Sequence, residues 1–261
     1  MFLGSMSYTL TDGSIRVWDL RIGVSSMGAE HTPPVASVMD AHLNGRRRRH
    51  QGPMSVTGVV WAGGSENETM EGKCPLLLST GAGDEEIRAW DCRRLDKPCL
   101  LSSFSLSRKQ GSRTKSHGFV TLTGSKTGLV AALSTESKLY VLDSLTMSLC
   151  RCMEAPPSST FHVSTFYIKC TFNPQGTLVA SGSSDGNLYV WDIESESNVE
   201  VLGSHSAEVT AVDWSPSDPM QLCSVSDDNY IKLWKAQPKF LSRFVFKAKF
   251  KACIPATAFF C

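Results

Sequence analysis

Histidine, serine and aspartate stand in combinations that could run a nucleophilic relay: His205 with Ser224 and Asp228, and His42 with Thr80 and Asp84. In such a relay the imidazole takes the hydroxyl proton and the carboxylate orients the imidazole. The spacing points to another use. An Asp stands six residues before a Trp four times, as Asp12/Trp18, Asp84/Trp90, Asp185/Trp191 and Asp228/Trp234. Ser or Thr precedes that Asp by four residues in three of these units, at Thr80, Ser181 and Ser224. A register that recurs along a chain marks a repeated structural unit. Buried carboxylates and indole N–H groups must find partners, and a satisfied set fixes one packing arrangement. These His and Asp residues therefore read as structural, and no catalytic residue is expected. Gly81-Ala82-Gly83 is the nearest approach to a phosphate loop, and no GxGxxG completes it. The nine cysteines include no pair of CxxC motifs, so no metal site and no cofactor are expected. Cys150-Arg151-Cys152 reads as loop or core thiols, and the odd, scattered count suits reduced thiols in cytosol or nucleus.

The elements that carry these residues read as hairpins. The recurring segments are TDGSIRVWD (11–19), GAGDEEIRAWD (81–91), SGSSDGNLYVWD (181–192) and SVSDDNYIKLWK (224–235). In the third, Leu178-Val179-Ala180 is an apolar run, Asp185-Gly186-Asn187 supplies a turn, and Leu188-Tyr189-Val190-Trp191 resumes the run. Asp-Gly between apolar runs signals a hairpin, because Gly tolerates positive φ and Asp bonds its own backbone. A further strand precedes three units: Val56–Trp61, Tyr167–Phe172 and Val209–Trp214. The last two of these end before Asn173-Pro174 and Ser215-Pro216, and proline suits a strand stop because it cannot donate to a ladder.

These features resemble the WD-repeat family, whose four-stranded sheets form blades around a channel. The resemblance implies a buried network of His, Ser/Thr, Asp and Trp within a blade. His205, Ser224, Asp228 and Trp234 are the best candidate set. His42, Thr80, Asp84 and Trp90 form a looser one, and Ser181, Asp185 and Trp191 a partial one. A degenerate unit fills the long gap: Leu129–Leu133, then Ser137–Asp143, with Leu142 in the Trp slot and Glu136 in the Asp slot. The expected fold is all-β, a partial propeller of about four to five of the usual seven blades, each an antiparallel four-stranded sheet. It spans 1–236, with units ending near 21, 98, 145, 194 and 236 and a basic insertion at 22–52. The first unit is expected to lack its opening strands, as the C-terminal part of a longer domain would. Residues 237–261 alternate like a strand but match no repeat. They could pair with the open sheet edge or be an abnormal read-through end, and the second is favoured.

Composition narrows the partners. Net charge is +1, which gives no global attraction to nucleic acid or membrane, and direct nucleic-acid binding is not expected. No apolar run approaches the length of roughly 20 residues that crosses a bilayer, and MFLGSMSYTL lacks the pattern of a signal peptide. Arg46-Arg47-Arg48-Arg49-His50 reads as a nuclear-localisation or phosphate-contacting cluster, or as a solvated loop. The Ser-rich basic stretch 101–117 reads as a loop.

One motif reaches past the strand. Trp18-Asp19-Leu20-Arg21 and Trp90-Asp91-Cys92-Arg93 share the pattern WDxR, whereas Trp191-Asp192-Ile193-Glu194 and Trp234-Lys235 do not. WDxR resembles the box by which substrate receptors dock on the damaged-DNA-binding-protein adaptor of cullin-4 RING ubiquitin ligases. An Arg past a strand end offers a planar fork of donors to a partner's carboxylates or carbonyls. The stretches 164–169, 181–185, 205–210, 216–218 and 226–229 further resemble the denticleless family of replication-coupled receptors for that ligase. Two features depart from the family: Tyr8 stands where Ser/Thr is expected before Asp12, and His162 lies one residue nearer its strand-ending Pro. The resemblance implies a non-enzymatic substrate receptor of the nucleus, with the cytoplasm as a second location. It would bind the adaptor through Trp18, Asp19, Arg21, Trp90, Asp91 and Arg93 and bring in replication and cell-cycle proteins, some bound to the sliding clamp, for ubiquitination. The alternative is a general WD-repeat scaffold with no ligase link.

Overall fold

The apolar hairpins form antiparallel strands in a computed structural model, which describes residues 5–9, 12–19, 33–42, 54–62, 76–92, 99–106, 117–195, 197–203, 205–239, 243–247 and 254–255. The strands belong to two compact units, 1–119 and 120–261. In the first unit, β1 (Ser5–Thr9), β2 (Ile15–Asp19) and β3 (Ala36–Val38) form one sheet in that order. Four further strands, β4 (Val56–Ala62), β5 (Leu76–Gly81), β6 (Glu86–Asp91) and β7 (Cys99–Ser105), form the next. Ile15, Val17, Val56, Leu77, Trp90 and Cys92 join the two sheets in one core.

The second unit holds three sheets. The degenerate stretch supplies a full one: β8 (Phe119–Gly124), β9 (Leu129–Ser134), β10 (Lys138–Asp143) and β11 (Leu149–Glu154). Leu142, in the Trp slot, is buried there. The next comprises β12 (Cys170–Phe172), β13 (Leu178–Ser181), β14 (Asn187–Asp192) and β15 (Ser197–Gly203). The last comprises β16 (Val209–Trp214), β17 (Gln221–Ser226), β18 (Tyr230–Lys239) and β19 (Arg243–Lys247), with β20 (Ile254–Pro255) also paired to β18. The fold is thus all-β, with four-stranded antiparallel sheets of the kind that make up a WD-repeat propeller. The segment beyond 236 is not separate from the last sheet: β18 runs through Lys239, and β19 is the sheet's fourth strand.

The middle sheet of this unit shows why its strands read as unbroken apolar runs. Val179, Tyr189 and Trp191 pack toward Leu139, Val141 and Met153, while Leu178, Ala180, Leu188 and Val190 pack toward Trp214, Leu222 and Trp234. Both faces are covered, so alternation with polar residues is lost, as in other sheets buried on both faces.

The fixed Asp has a backbone cause. The residue after it is left-handed in every unit: Gly13 (φ 76°), Glu85 (φ 61°), Gly186 (φ 83°) and Asn229 (φ 66°), with Ser137 (φ 63°) after Glu136. Each Asp accepts the N–H two residues on, across that left-handed residue: Ser14 at 2.9 Å, Glu86 at 3.3 Å, Asn187 at 3.0 Å and Tyr230 at 3.0 Å. The short Asp side chain suits this local bond. In the degenerate unit Glu136 is one methylene longer; there Ser134 Oγ accepts the Glu136 N–H at 2.9 Å, a bond that Ser183 and Ser226 also make to Asp185 and Asp228.

Candidate functional site

In the last sheet a buried relay assembles from four elements. The loop before β16 supplies His205, β17 supplies Ser224, the β17–β18 turn supplies Asp228, and β18 supplies Trp234. Trp234 Nε1 donates to Ser224 Oγ at 2.9 Å, Ser224 Oγ lies 2.9 Å from His205 Nε2, and His205 Nδ1 lies 2.8 Å from Asp228 Oδ2. A neutral imidazole with its proton on Nδ1 satisfies every contact: the indole donates to the hydroxyl, the hydroxyl to Nε2, and Nδ1–H to the carboxylate. The electrostatics agree. Burial pushes the His205 imidazole below its ordinary value against the pull of Asp228. Burial also raises the Asp228 carboxyl, but hydrogen bonds from His205, Ser206 and Tyr230 outweigh it and the net shift is downward.

The same relay recurs in the first unit, with one correction. Trp90 Nε1 donates to Ser79 Oγ at 2.8 Å, His42 Nε2 lies 2.8 Å from that oxygen, and His42 Nδ1 lies 2.6 Å from Asp84 Oδ2. Ser79, not Thr80, is the hydroxyl of this set. Ser79 pairs with Arg88, and Ser224 pairs with Lys232, each two residues before its Trp. The β5–β6 turn is one residue longer than the β17–β18 turn, so counting back from Asp lands one position late. Thr80 Oγ1 lies instead 3.1 Å from Thr57 Oγ1, itself a donor to Phe119 O at 2.6 Å.

The third candidate set does not assemble. Ser181 occupies the equivalent register slot, opposite Tyr189, but its Oγ donates to Gly182 O at 2.8 Å. Trp191 Nε1 is buried without a hydrogen-bond partner. Here Tyr189 replaces the imidazole: its hydroxyl donates to Asp185 Oδ2 at 2.7 Å, and Thr160 Oγ1 donates to the same oxygen at 2.5 Å. Burial raises the Asp185 carboxyl, but these bonds prevail and bring it down to about 2. Phe161 packs edge-on against Tyr189 and Trp191. His162 contacts Thr160 O instead. In the first sheet Asp12 bonds Ser14 and pairs with Arg16 at 3.1 Å.

These relays have the interatomic distances of a catalytic triad and the wrong surroundings. Ser79 and Ser224 are fully buried, and each hydroxyl oxygen already accepts an indole N–H. No substrate carbonyl can approach either oxygen. Among the described residues, no group of three or more His, Cys, Asp or Glu could hold a metal ion. Cys92, Cys150, Cys152, Cys170 and Cys223 are free thiols.

The WDxR residues occupy matching places in the first unit's two sheets. Trp18 and Asp19 close β2, and Trp90 and Asp91 close β6. Cys92 is buried in the same core as Trp90, so the chain is held to within one residue of Arg93. Arg21 and Arg93 lie outside the described residues. At the corresponding positions of two other hairpins the contacts are local. Asp192 Oδ1 accepts the Glu194 N–H at 2.9 Å, closing a local turn, and Lys235 pairs with Asp218 at 3.2 Å.

Comparisons with known proteins agree with this geometry. The family model "WD domain, G-beta repeat" matches residues 150–192 and 196–235, which run from β11 to β14 and from β15 into β18. The chain is 30% identical over 247 residues to "Denticleless protein homolog" of Danio rerio, covering 87% of this chain and 35% of that protein. It is 29% identical over 242 residues to the Gallus gallus protein of the same name, covering 87% and 32%. It is 29% identical over 248 residues to "Protein lethal(2)denticleless" of Drosophila melanogaster, covering 87% and 30%. The chain thus spans about a third of the length of the curated relatives it matches.

Proposed function

Taking this as a WD-repeat chain related to the denticleless homologues, we propose that it is the propeller part of a substrate-recognition subunit of a cullin-4 RING ubiquitin ligase. It docks on the damaged-DNA-binding-protein adaptor and presents replication and cell-cycle proteins for ubiquitin-dependent degradation in the nucleus. The observation that carries this reading is the pair of WDxR boxes in successive sheets, Trp18–Arg21 and Trp90–Arg93, within a chain related to that family over most of its length.

The physics is simple. The Trp is fixed by the sheet, and in the second box Ser79 also ties the indole. In sequence the Arg stands two residues past the last strand residue, Asp19 in one box and Asp91 in the other. A planar donor fork carried close to a fixed strand end would lose little entropy on binding, which is the character of an interface anchor. The receptor needs no catalytic group, since ubiquitin transfer belongs to other subunits. Pull-down of the adaptor by wild type, Arg21→Ala and Arg93→Ala tests the reading. Each substitution is expected to lower recovery; equal recovery by all three would remove the assigned role of these residues.

A further inference from the structure

Charge is not spread evenly along this chain. Residues 43–53 carry Arg46, Arg47, Arg48 and Arg49, and residues 107–116 carry Arg108, Lys109, Arg113 and Lys115. The two stretches hold eight of the 26 lysines and arginines and none of the 25 acidic residues. Both lie outside the described residues, but the chain on either side of each is described. A net charge of +1 therefore contains a local surplus, and strand order decides where it falls.

All four flanks meet at the β5–β6 turn of the first unit. β4 and β6 begin, and β5 and β7 finish, at one end of their sheet, with Val56 opposite Gly81 and Glu86 opposite Ser105. The first stretch leaves at His42, whose imidazole is held by Asp84 of that turn at 2.6 Å. It returns at Met54, whose N–H donates to His42 O at 3.2 Å, and Ala82 N then donates to Ser55 O at 3.0 Å. The second leaves at Leu106 and returns at His117, and the buried Glu85 takes both ends. Its carbonyl accepts the Leu106 N–H at 3.2 Å, and its carboxylate accepts the His117 N–H at 2.9 Å. Gly118 follows so close to the turn that a Cβ there would come within 2.0 Å of Ala82 O.

The carboxylates described at this end are largely engaged. Asp84 holds His42, Glu85 holds the His117 N–H, and Glu86 pairs with Arg88 at 2.8 Å. Asp12, on the turn that Ala41 N joins through Gly13 O at 2.9 Å, pairs with Arg16 at 3.1 Å. Asp40 is exposed beside them, one carboxylate against eight cationic side chains. Neither stretch contains Phe, Tyr or Trp, the usual platforms for a stacked base. Arginine offers phosphate a bidentate fork, and duplex DNA presents a charge about every 1.7 Å, denser than any acidic peptide. The WDxR boxes close β2 and β6 at the opposite end of the same sheets. We propose that residues 43–53 and 107–116 together form a surface on the first unit that binds the phosphate backbone of nucleic acid without reading its sequence. The proposal does not depend on the receptor reading above.

Fluorescence anisotropy of the full chain with a labelled DNA duplex of about 20 base pairs tests it. Two duplexes of unrelated sequence should bind alike, on a log–log salt slope steeper than about −4, because one cluster of four charges gives at most about −3.6. Arg46→Gln/Arg47→Gln/Arg48→Gln/Arg49→Gln and Arg108→Gln/Lys109→Gln/Arg113→Gln/Lys115→Gln should each weaken binding about tenfold or more and flatten the slope. Adaptor recovery and the urea midpoint should stay as in wild type. No duplex binding by wild type at about 100 μM chain in about 50 mM salt, or unchanged affinity in either variant, overturns the inference. Equal or tighter binding of polyglutamate of matched charge would assign the surface to an acidic protein and overturn it as well. A lowered urea midpoint would count against it, since the charges would then serve the sheet.

Discussion

Replacing Ser224 with Ala removes one oxygen and strands two groups. Ser224 is fully buried, and its hydroxyl both accepts the Trp234 N–H and meets His205 Nε2. Neither partner has room to turn to water. An orphaned buried polar group costs about 1–3 kcal/mol, so the two together should cost about 2–4 kcal/mol. Ser181 provides an internal control. It is equally buried, sits in the same register slot of the neighbouring sheet, and makes a single bond to Gly182 O. Ser181→Ala should therefore cost about 1 kcal/mol. Both residues lie in the second unit, so both variants report on the same packed body. Urea unfolding followed by tryptophan fluorescence should show a lower midpoint at unchanged slope, with Ser224→Ala losing about 2 kcal/mol more than Ser181→Ala. Equal losses, or a Ser224→Ala loss below about 0.5 kcal/mol, would refute the claim that the indole–hydroxyl–imidazole–carboxylate chain secures the sheet.

Three further outcomes can be measured on the same chain. Because burial lowers the folded-state pKa of His205 below its ordinary 6.5, the unfolded chain takes up a proton first as pH falls. Stability should then decline from about pH 6.5 downward, and His205→Gln should flatten that slope while lowering stability throughout. Asp185 acts in the same direction at lower pH: its stabilising contribution is present above its ordinary 3.8 and is lost as pH falls toward about 2. Asn229, exposed and left-handed at φ 66°, should tolerate Gly and lose about 1–2 kcal/mol as Val, measured by the same urea midpoints.

The hairpins were legible in the sequence because two constraints act through neighbouring residues. The Asp reaches the N–H two positions on, and the Trp sits at a fixed distance along the following strand, so Asp228 and Trp234 announce themselves. Residues placed by register across strands are harder to read. Ser79 stands opposite Arg88, and the extra residue in the β5–β6 turn hides it behind Thr80. Tyr189 in the role of the imidazole is a substitution in space rather than in sequence position. Its one local signal is its place two residues before Trp191, where the other hairpins carry Arg88 and Lys232. The outer strand β19 carries no motif, because pairing with β18 asks only for extended backbone. The convergence of His42, Met54, Leu106 and His117 on the β5–β6 turn is equally invisible in one dimension, since strand pairing rather than spacing brings them together.

Adaptor affinity measured by biolayer interferometry on the full chain, wild type against the Arg21→Ala/Arg93→Ala double variant, bears most directly on the receptor role. The expected result is measurable binding by wild type and a Kd raised about 30-fold or more in the variant, in line with loss of about 2 kcal/mol at an interface anchor. An unchanged Kd, or no binding by wild type at micromolar adaptor, would contradict it.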